Sequence, residues 1–337
     1  MLHYGLDVHK KYTNICVMDD AGAILAEGRT ATGELPCHPA FSLEGRKRVV
    51  MEAGANWPFV YDILEPAVEE VLLAHPLRVR AIAAARVKTD AIDARTLAHL
   101  LRSDLIPAAY IPPAPVREAR ELFRFRLDLV KQRIALKNRV HALLTKEGLT
   151  SPVTDVFGRE GRRWLDELPL SCEKRARLDS FLRVLDCLTT EIKEADSRIK
   201  VAVDDDPRAN LLTTVPGIGY RIALVILAEI GDISRFPDAN HLVSYAGLAP
   251  RVRSSGGKTK LGNITKQGSS ALRWALVEAI HVAVHRPGYL QEMHERLRRG
   301  KNNAVATTAC ARQLLVAIYF MLSRGEAFRP TGTRTIY

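Results

Sequence analysis

Several features that mark particular classes of protein are scarce or missing in this sequence of 337 residues. Its 5 cysteines are scattered and include no CxxC pair, which excludes the usual zinc-binding and dithiol motifs. No apolar run approaches the roughly 20 residues that cross a bilayer, and the first residues read as a strand instead of a signal peptide. We therefore expect a cytoplasmic protein with no membrane partner.

Acidic residues are also few relative to basic ones. The chain carries 49 Lys and Arg against 38 Asp and Glu, a net charge of +11. Lys and Arg bind phosphates by releasing condensed counterions, so this excess favours a nucleic-acid partner, although it also fits a basic protein without one. The stretch 251–277 contains no acid at all. The candidates there for binding nucleic acid are Arg251, Arg253, Lys258, Lys260 and Lys266.

The apolar and charged contents, 47% and 26%, are those of a globular chain, and the length predicts two or three domains. Strand-like and helix-like patterns alternate near the N-terminus, which indicates a mixed α/β domain over 1–108. Strands are predicted at 4–9, 14–18, 23–27, 48–52 and 70–74, the first three as a hairpin or meander, and helices at 57–67 and 89–102.

Prolines between 107 and 115 break the chain and mark a linker. Beyond it, two long charged helices predicted at 116–146 and 173–203 favour an antiparallel hairpin or coiled coil, which we assign to a domain over 109–203. The remaining residues, 204–337, are predicted to form a mainly α-helical C-terminal domain.

Two glycines stand in the segment 215–219, which reads Val-Pro-Gly-Ile-Gly and precedes a helix predicted at 221–230. This spacing is typical of a helix-hairpin-helix motif, in which the backbone turns tightly and the amides of the next helix face a phosphate. Gly217 and Gly219 are therefore candidates for binding nucleic acid. They also fit an ordinary glycine-rich turn between two packed helices.

Four acids occupy positions that predict a metal site. Asp7 lies in the middle of the first predicted strand, Glu52 ends a later strand, and Asp90 and Asp93 share one face of a helix. Carboxylates that converge at one edge of an α/β sheet repel one another unless a divalent cation lies between them, and such ligands suit Mg²⁺ or Mn²⁺. Asp90 and Asp93 taken alone fit solvated helix residues equally well.

The segments that contain these acids resemble the DEDD transposase family of bacterial insertion sequences. They read Gly-Leu-Asp-Val-His-Lys at 5–10, Val-Met-Glu-Ala at 50–53 and Lys-Thr-Asp-Ala-Ile-Asp-Ala-Arg at 88–95. Later, 215–219 and Ser-Tyr-Ala-Gly-Leu-Ala-Pro at 244–250 resemble that family's C-terminal domain. The resemblance implies a RuvC-like, RNase H-type N-terminal domain, a helical coiled-coil insertion and a transposase that cuts and rejoins DNA. It also implies that Asp7, Glu52, Asp90 and Asp93 bind metal.

The family uses a serine nucleophile shortly after the Ala-Gly-Leu-x-Pro segment and just before a glycine, and the matching residue is Ser255, with Ser254 beside it as the alternative. Attack by serine on a phosphodiester would form a covalent protein–DNA intermediate that conserves bond energy. Without the resemblance, both serines fit a loop beside a basic patch.

The resemblance further implies a bridge RNA that pairs with target and donor DNA, and assembly of dimers into a tetrameric synaptic complex. Two other functions stay open: a RuvC-like metal-dependent DNA endonuclease without a covalent intermediate, and a non-catalytic nucleic-acid-binding protein.

Overall fold

The computed structural model describes residues 1–82, 89–255 and 258–329, with side chains placed for these except between 253 and 261. The chain divides into two compact units, Met1–Pro112 and Pro113–Tyr337. The first is a mixed α/β unit and the second is mainly helical, as the alternation of patterns in the sequence predicts.

A six-stranded sheet forms the centre of the first unit, in the order β3-β2-β1-β4-β5-β6. β1, β2 and β3 form an antiparallel meander, β4 and β5 run parallel to β1, and β6 is an antiparallel edge strand. The predicted meander is therefore confirmed. The strands are β1 Leu2–Val8, β2 Tyr12–Met18, β3 Ile24–Ala31, β4 Lys47–Glu52, β5 Glu70–Ala74 and β6 Ala108–Ala109.

Both faces of this sheet are buried, which explains the unbroken apolar run in β4. Val49 and Met51 face one core with Val60 and Leu64, whereas Val50 faces a second core with Leu97. The helices are α1 Trp57–Leu64, α2 Pro76–Ile82 and α3 Asp90–Arg102. The helix predicted at 57–67 ends as an α-helix at 64 and continues as a 3-10 turn, Glu65–Ala67.

Two long antiparallel helices, each of 33 residues, open the second unit. Leu143 shares a core cluster with Leu178, Leu136 with Leu185, and Phe123 with Ile199. Residues near the end of the first helix thus lie beside residues near the start of the second, which is the arrangement of an antiparallel pair. The predicted helical hairpin is confirmed, while a supercoiled geometry stays a prediction. The helices are α4 Ala114–Lys146, α5 Arg159–Asp166, α6 Cys172–Asp204, α7 Pro207–Thr213, α8 Tyr220–Ile230, α9 Ala239–Tyr245, α10 Ser270–Ala283, α11 Tyr289–Arg298 and α12 Asn303–Arg324.

One β-hairpin interrupts the helices of the second unit, formed by β7 Pro250–Ser255 and β8 Lys258–Ile264. The sequence predicted a basic stretch here without secondary structure.

The last helix, α12, has 22 residues and is long and apolar enough in composition to cross a membrane. The expectation that no segment approaches that length was wrong on this measure. Core helices of globular domains also pass such a test, and Cys310, Leu314 and Ile318 are fully or almost fully buried within the core of the second unit.

Candidate metal centre

The carboxyl ends of β1 and β4 place two of the predicted acids side by side. The strands are parallel, and Leu6 pairs with Met51, so the residues that follow, Asp7 and Glu52, come next to each other at the same edge of the sheet. Asp7 is the penultimate residue of β1, not its middle, and its side chain is 22% exposed. The end of the strand gives this carboxylate access to solvent that a central position would deny.

Helix α3 brings the other two acids to this edge. Its first turn holds Asp90 and Asp93, and the Thr89 side chain caps it by accepting a hydrogen bond from the amide of Ile92 at 3.3 Å. The helix predicted at 89–102 is therefore confirmed, with Thr89 as its N-cap. The acids also lie where the helix dipole favours negative charge.

A glycine allows α3 to lie directly on β1. A Cβ at Gly5 would stand 2.0 Å from the carbonyl oxygen of Ala94 and 2.4 Å from the amide nitrogen of Ala98, so no other residue fits without displacing the helix. A bidentate ion pair from Arg95 to Glu27 of β3 ties the outer face of α3 to the sheet. Sequence and packing together thus fix the first turn of α3 near the end of β1.

His9 joins two of the acids into one cluster. Its Nε2 lies 2.9 Å from Oδ2 of Asp7 and 3.4 Å from Oδ2 of Asp90. One ligand atom from each of these three residues lies within 4.8 Å of the other two. Glu52 and Asp93 are outside this group. No role was predicted for His9 from the sequence, although side chains at i and i+2 of an extended segment lie on the same face, and this spacing from Asp7 is the signal that could have identified it.

A layer of polar and aromatic groups supports the cluster. The Tyr12 hydroxyl donates to Oδ2 of Asp90 at 3.2 Å, and its ring lies 4.7 Å from that of His9. The Arg29 guanidinium carbon lies 3.3 Å from the centroid of the Tyr12 ring, and the Asn56 side chain donates to the carbonyl of His9 at 3.1 Å. Such contacts orient the ligands of a metal.

The electrostatics of Asp7 fit a cation at this position. Burial raises the pKa of its carboxyl above the usual 3.8, the contact with His9 opposes this, and the charges of Asp90 and Asp93 raise it further. The negative charge is therefore unfavourable in the protein alone, and a divalent cation would offset that cost. Two carboxylate oxygens and an imidazole nitrogen are an acceptable donor set for Mn²⁺, and the carboxylates for Mg²⁺.

In the second unit, the two candidate glycines have different surroundings. Gly217 has a φ of +91°, and a Cβ there would lie 2.4 Å from the carbonyl oxygen of Ala279 in α10, so close packing requires this glycine. Gly219 is exposed at the N-cap of α8 and has open space around it. Only Gly219 leaves the start of the helix accessible to a ligand.

The basic candidates lie on and beside the β7–β8 hairpin. Arg251 and Lys266 are exposed, and Arg251 donates to the carbonyl of Thr265 at 3.5 Å. The backbone register pairs Ser255 with Lys258, and Arg253 with Lys260 in the same ladder. The side chains of these four residues, like residues 256–257, lie outside the part of the chain that the structure describes.

Comparison with known proteins gives consistent matches along the chain. Residues 4–147 match the DEDD transposase family of the IS110 type, and residues 209–295 match the family described as Transposase IS116/IS110/IS902. The transposase for insertion sequence element IS1111A of Coxiella burnetii is 29% identical, over 96% of this chain and 90% of its own. The transposase for element IS1328 of Yersinia enterocolitica is 26% identical, over 96% and 97%. The pilin gene-inverting protein of Moraxella bovis is 30% identical, over 77% and 74%.

These matches first define the class of protein: the chain is a transposase, an enzyme that acts on DNA. It belongs to the IS110/IS116/IS902 transposase family.

Proposed function

We propose that this transposase cuts and rejoins DNA by serine attack, assisted by a divalent cation held in the first unit. The metal-binding part of this proposal is supported by one observation: ligand atoms of Asp7, His9 and Asp90 lie within 4.8 Å of one another. Glu52 and Asp93 complete the ligand set in this proposal, because both lie at the same edge of the sheet.

The first unit is proposed to have a RuvC-like fold. Its support is the strand order β3-β2-β1-β4-β5, with an antiparallel meander followed by parallel strands. When bound, Mg²⁺, or Mn²⁺ in its place, would act as a Lewis acid toward the phosphate. Asp7 and Asp90 hold that ion, and the hydrogen bond from Tyr12 keeps the Asp90 carboxylate in position.

The nucleophile in this proposal is the Ser255 hydroxyl. Its oxygen attacks the phosphorus of a phosphodiester, its proton leaves, and the bond from phosphorus to one sugar oxygen breaks. The products are a serine–phosphate ester and a free DNA hydroxyl. A hydroxyl of another strand then attacks the ester and releases the serine, so no ATP is required.

The cations that hold the DNA backbone in this proposal lie on the β7–β8 hairpin and just beyond it: Arg251, Arg253, Lys258, Lys260 and Lys266. Gly219 supports a further phosphate contact, because it leaves the start of α8 open. Gly217 contributes indirectly in this proposal, because it forms the turn that precedes the start of α8. A relative named as a pilin gene-inverting protein supports recombination as the outcome.

The remaining parts of the proposal follow the resemblance to the family. They are a bridge RNA bound by backbone contacts, dimers that join into a tetramer during synapsis, and three functional regions at 1–108, 109–203 and 204–337. The α4–α6 hairpin supports the second region as a scaffold for protein contacts.

The test is to incubate the full-length protein with the ends of its element, RNA encoded beside it and Mg²⁺, and to look for a denaturation-resistant protein–DNA adduct. Ser255→Ala and Asp90→Ala should each abolish the adduct. Ser254→Ala is the matched control, since it removes the neighbouring hydroxyl from the same strand, and it should retain the adduct.

Other outcomes would contradict separate parts of the proposal. Free nicks without an adduct, still dependent on Asp90, would favour a hydrolytic nuclease. An adduct that survives in Ser255→Ala but is lost in Ser254→Ala would move the nucleophile by one residue. Binding of DNA without cleavage under any metal condition would favour a non-catalytic protein.

A further inference from the structure

A second group of basic residues lies where α11 ends and α12 begins. Arg296, Arg298, Arg299 and Lys301 fall within six consecutive positions, and all four are exposed. We call these four residues the α11–α12 basic surface. They lie beyond residue 295, where the match to the Transposase IS116/IS110/IS902 family ends, and no role was predicted for them from the sequence.

These cations have no acidic partner in the part of the chain that the structure describes. Neither hydrogen bonds nor ion pairs engage their side chains there, whereas the exposed Arg208 is paired with Asp206 and Arg162 with Asp186. No Asp or Glu occurs from Arg296 to Arg324. On α11, Glu292 and Glu295 precede the group by one helical turn or less, so the four cations outnumber the acids beside them and leave a positive local potential.

Neighbouring residues contribute charge of both signs: Arg286 adds to the positive potential, whereas Glu292 and Glu295 oppose it. His281, His285 and Arg286 are exposed at the end of α10. Burial lowers the pKa of His294, and the charge of Arg298 lowers it further, followed by His281, with Glu295 acting in the opposite direction. The positive charge of Arg298 on α11 therefore acts on the buried region around His294.

The surface holds charge but little that can distinguish bases. The polar side chain that follows the cations, Asn302, caps α12 by accepting from the amide of Val305 at 2.9 Å. Cations without an ordered set of hydrogen-bonding partners bind phosphates independently of sequence.

We propose that the α11–α12 basic surface binds the phosphate backbone of duplex DNA, as a contact additional to the β7–β8 hairpin. This inference rests on the proposed function only in that the protein acts on DNA; it needs neither Ser255 nor the metal. The contact would hold the duplex without specifying its sequence.

The test is the salt dependence of binding to a duplex of arbitrary sequence, measured by fluorescence anisotropy with the full-length protein. The variant carries Arg296→Gln, Arg298→Gln, Arg299→Gln and Lys301→Gln. Each lost phosphate contact lowers the slope of log K against log salt by about 0.9 in magnitude, so the loss of four contacts should lower it by about 3.6.

A matched variant controls for net charge. Arg139, Arg183, Arg198 and Lys200 are also three arginines and one lysine, are exposed, and lie on α4 and α6, where the last three each have an Asp or Glu within four residues. Changing these four to Gln should leave the slope within about 1 of wild type. A circular dichroism melt of both variants verifies that each is folded.

Four results would overturn the proposal. Equal losses of slope in both variants would mean that only total charge matters. An unchanged slope in the α11–α12 variant would show that this surface does not touch DNA, while leaving the proposed function intact. A loss confined to an RNA hairpin, with duplex binding retained, would assign the surface to RNA. Failure of the wild-type protein to bind DNA would contradict the proposed function as well.

Discussion

Replacing Asp7 by Asn should make the metal-free protein more stable and should remove most of its response to metal. The Asp7 carboxylate is disfavoured by burial and by Asp90 and Asp93, so a neutral side chain of the same shape relieves an electrostatic cost. The loss of the charged contact to His9 acts against this gain, but the raised pKa shows that the unfavourable contributions are larger.

The stabilisation that metal binding should give the first unit follows from the thermodynamic linkage between ligand binding and folding. A ligand present at one hundred times its dissociation constant stabilises the folded state by about 2.7 kcal/mol. For a unit of roughly 100 residues, each kcal/mol shifts the melting temperature by about 4–8 °C, so metal should raise the first unit's transition by roughly 10–20 °C. In Asp7→Asn, which lacks one of three clustered ligands, most of this rise should be absent.

The pH dependence of stability tests independently whether Asp7→Asn stabilises the metal-free protein by removing an unfavourable charge. A carboxyl whose pKa is raised on folding contributes stability below its unfolded value of 3.8, and that contribution is lost as the pH rises through the folded value. The advantage of Asp7→Asn should therefore be present at neutral pH and should vanish below the unfolded value, where Asp7 is protonated in both states.

The assay is thermal unfolding followed through Trp57, with Trp164 and Trp274 changed to Phe, in EDTA and in Mg²⁺ or Mn²⁺. Glu44→Gln is the control, because it removes one exposed charge from the same unit away from the cluster. A metal-free Asp7→Asn protein that melts below wild type would refute the electrostatic argument. A full metal response in that variant would refute the assignment of Asp7 as a ligand.

Two further predictions concern positioning and packing. Tyr12→Phe keeps the aromatic ring but loses the hydrogen bond to Asp90, so metal affinity measured by titration calorimetry should fall about tenfold. The melting temperature in EDTA should stay near that of the wild type. An unchanged affinity would show that the hydroxyl does not orient the Asp90 ligand. Gly217→Ala should lower the free energy of unfolding of the second unit, measured in urea, by about 1–3 kcal/mol, because the new Cβ would lie 2.4 Å from the carbonyl oxygen of Ala279. Gly219→Ala, which has open space around it, should lower this free energy by about 1 kcal/mol or less. Equal costs at the two glycines would contradict the packing argument.

Local patterns predicted the first unit well. The strand at 70–74 has the predicted bounds because it is a short apolar run between polar residues and a proline. The start of α3 was also correct, since Thr89 is a residue type that caps helices and the apolar spacing begins directly after it. Both features depend on neighbours in sequence, which is the information that a single sequence contains.

Features that depend on distant contacts were missed. The proximity of His9 to Asp90 requires the chain to turn after β1, where the amide of His9 bonds to the carbonyl of Tyr12, and requires α3 to lie against the sheet. The helix Arg159–Asp166 was missed because its glycines and arginines resemble a loop. The hairpin at 250–264 lacks the alternation of apolar and polar residues that marks a half-buried strand.

The first unit has a cluster of acids and the second has groups of exposed cations, and these opposite charges act differently on a DNA backbone. The acids of the first unit repel a phosphate backbone as well as one another, so without a cation this site disfavours the substrate. The second unit carries exposed cations at the α11–α12 junction and Arg251 on its hairpin, and such groups attract a phosphate backbone without any metal. If the acids hold a divalent cation as proposed, the second unit could bind DNA in the absence of that cation, whereas the acidic site would accept a phosphate only in its presence. Under the proposed function, DNA binding and DNA cleavage would then be separate steps.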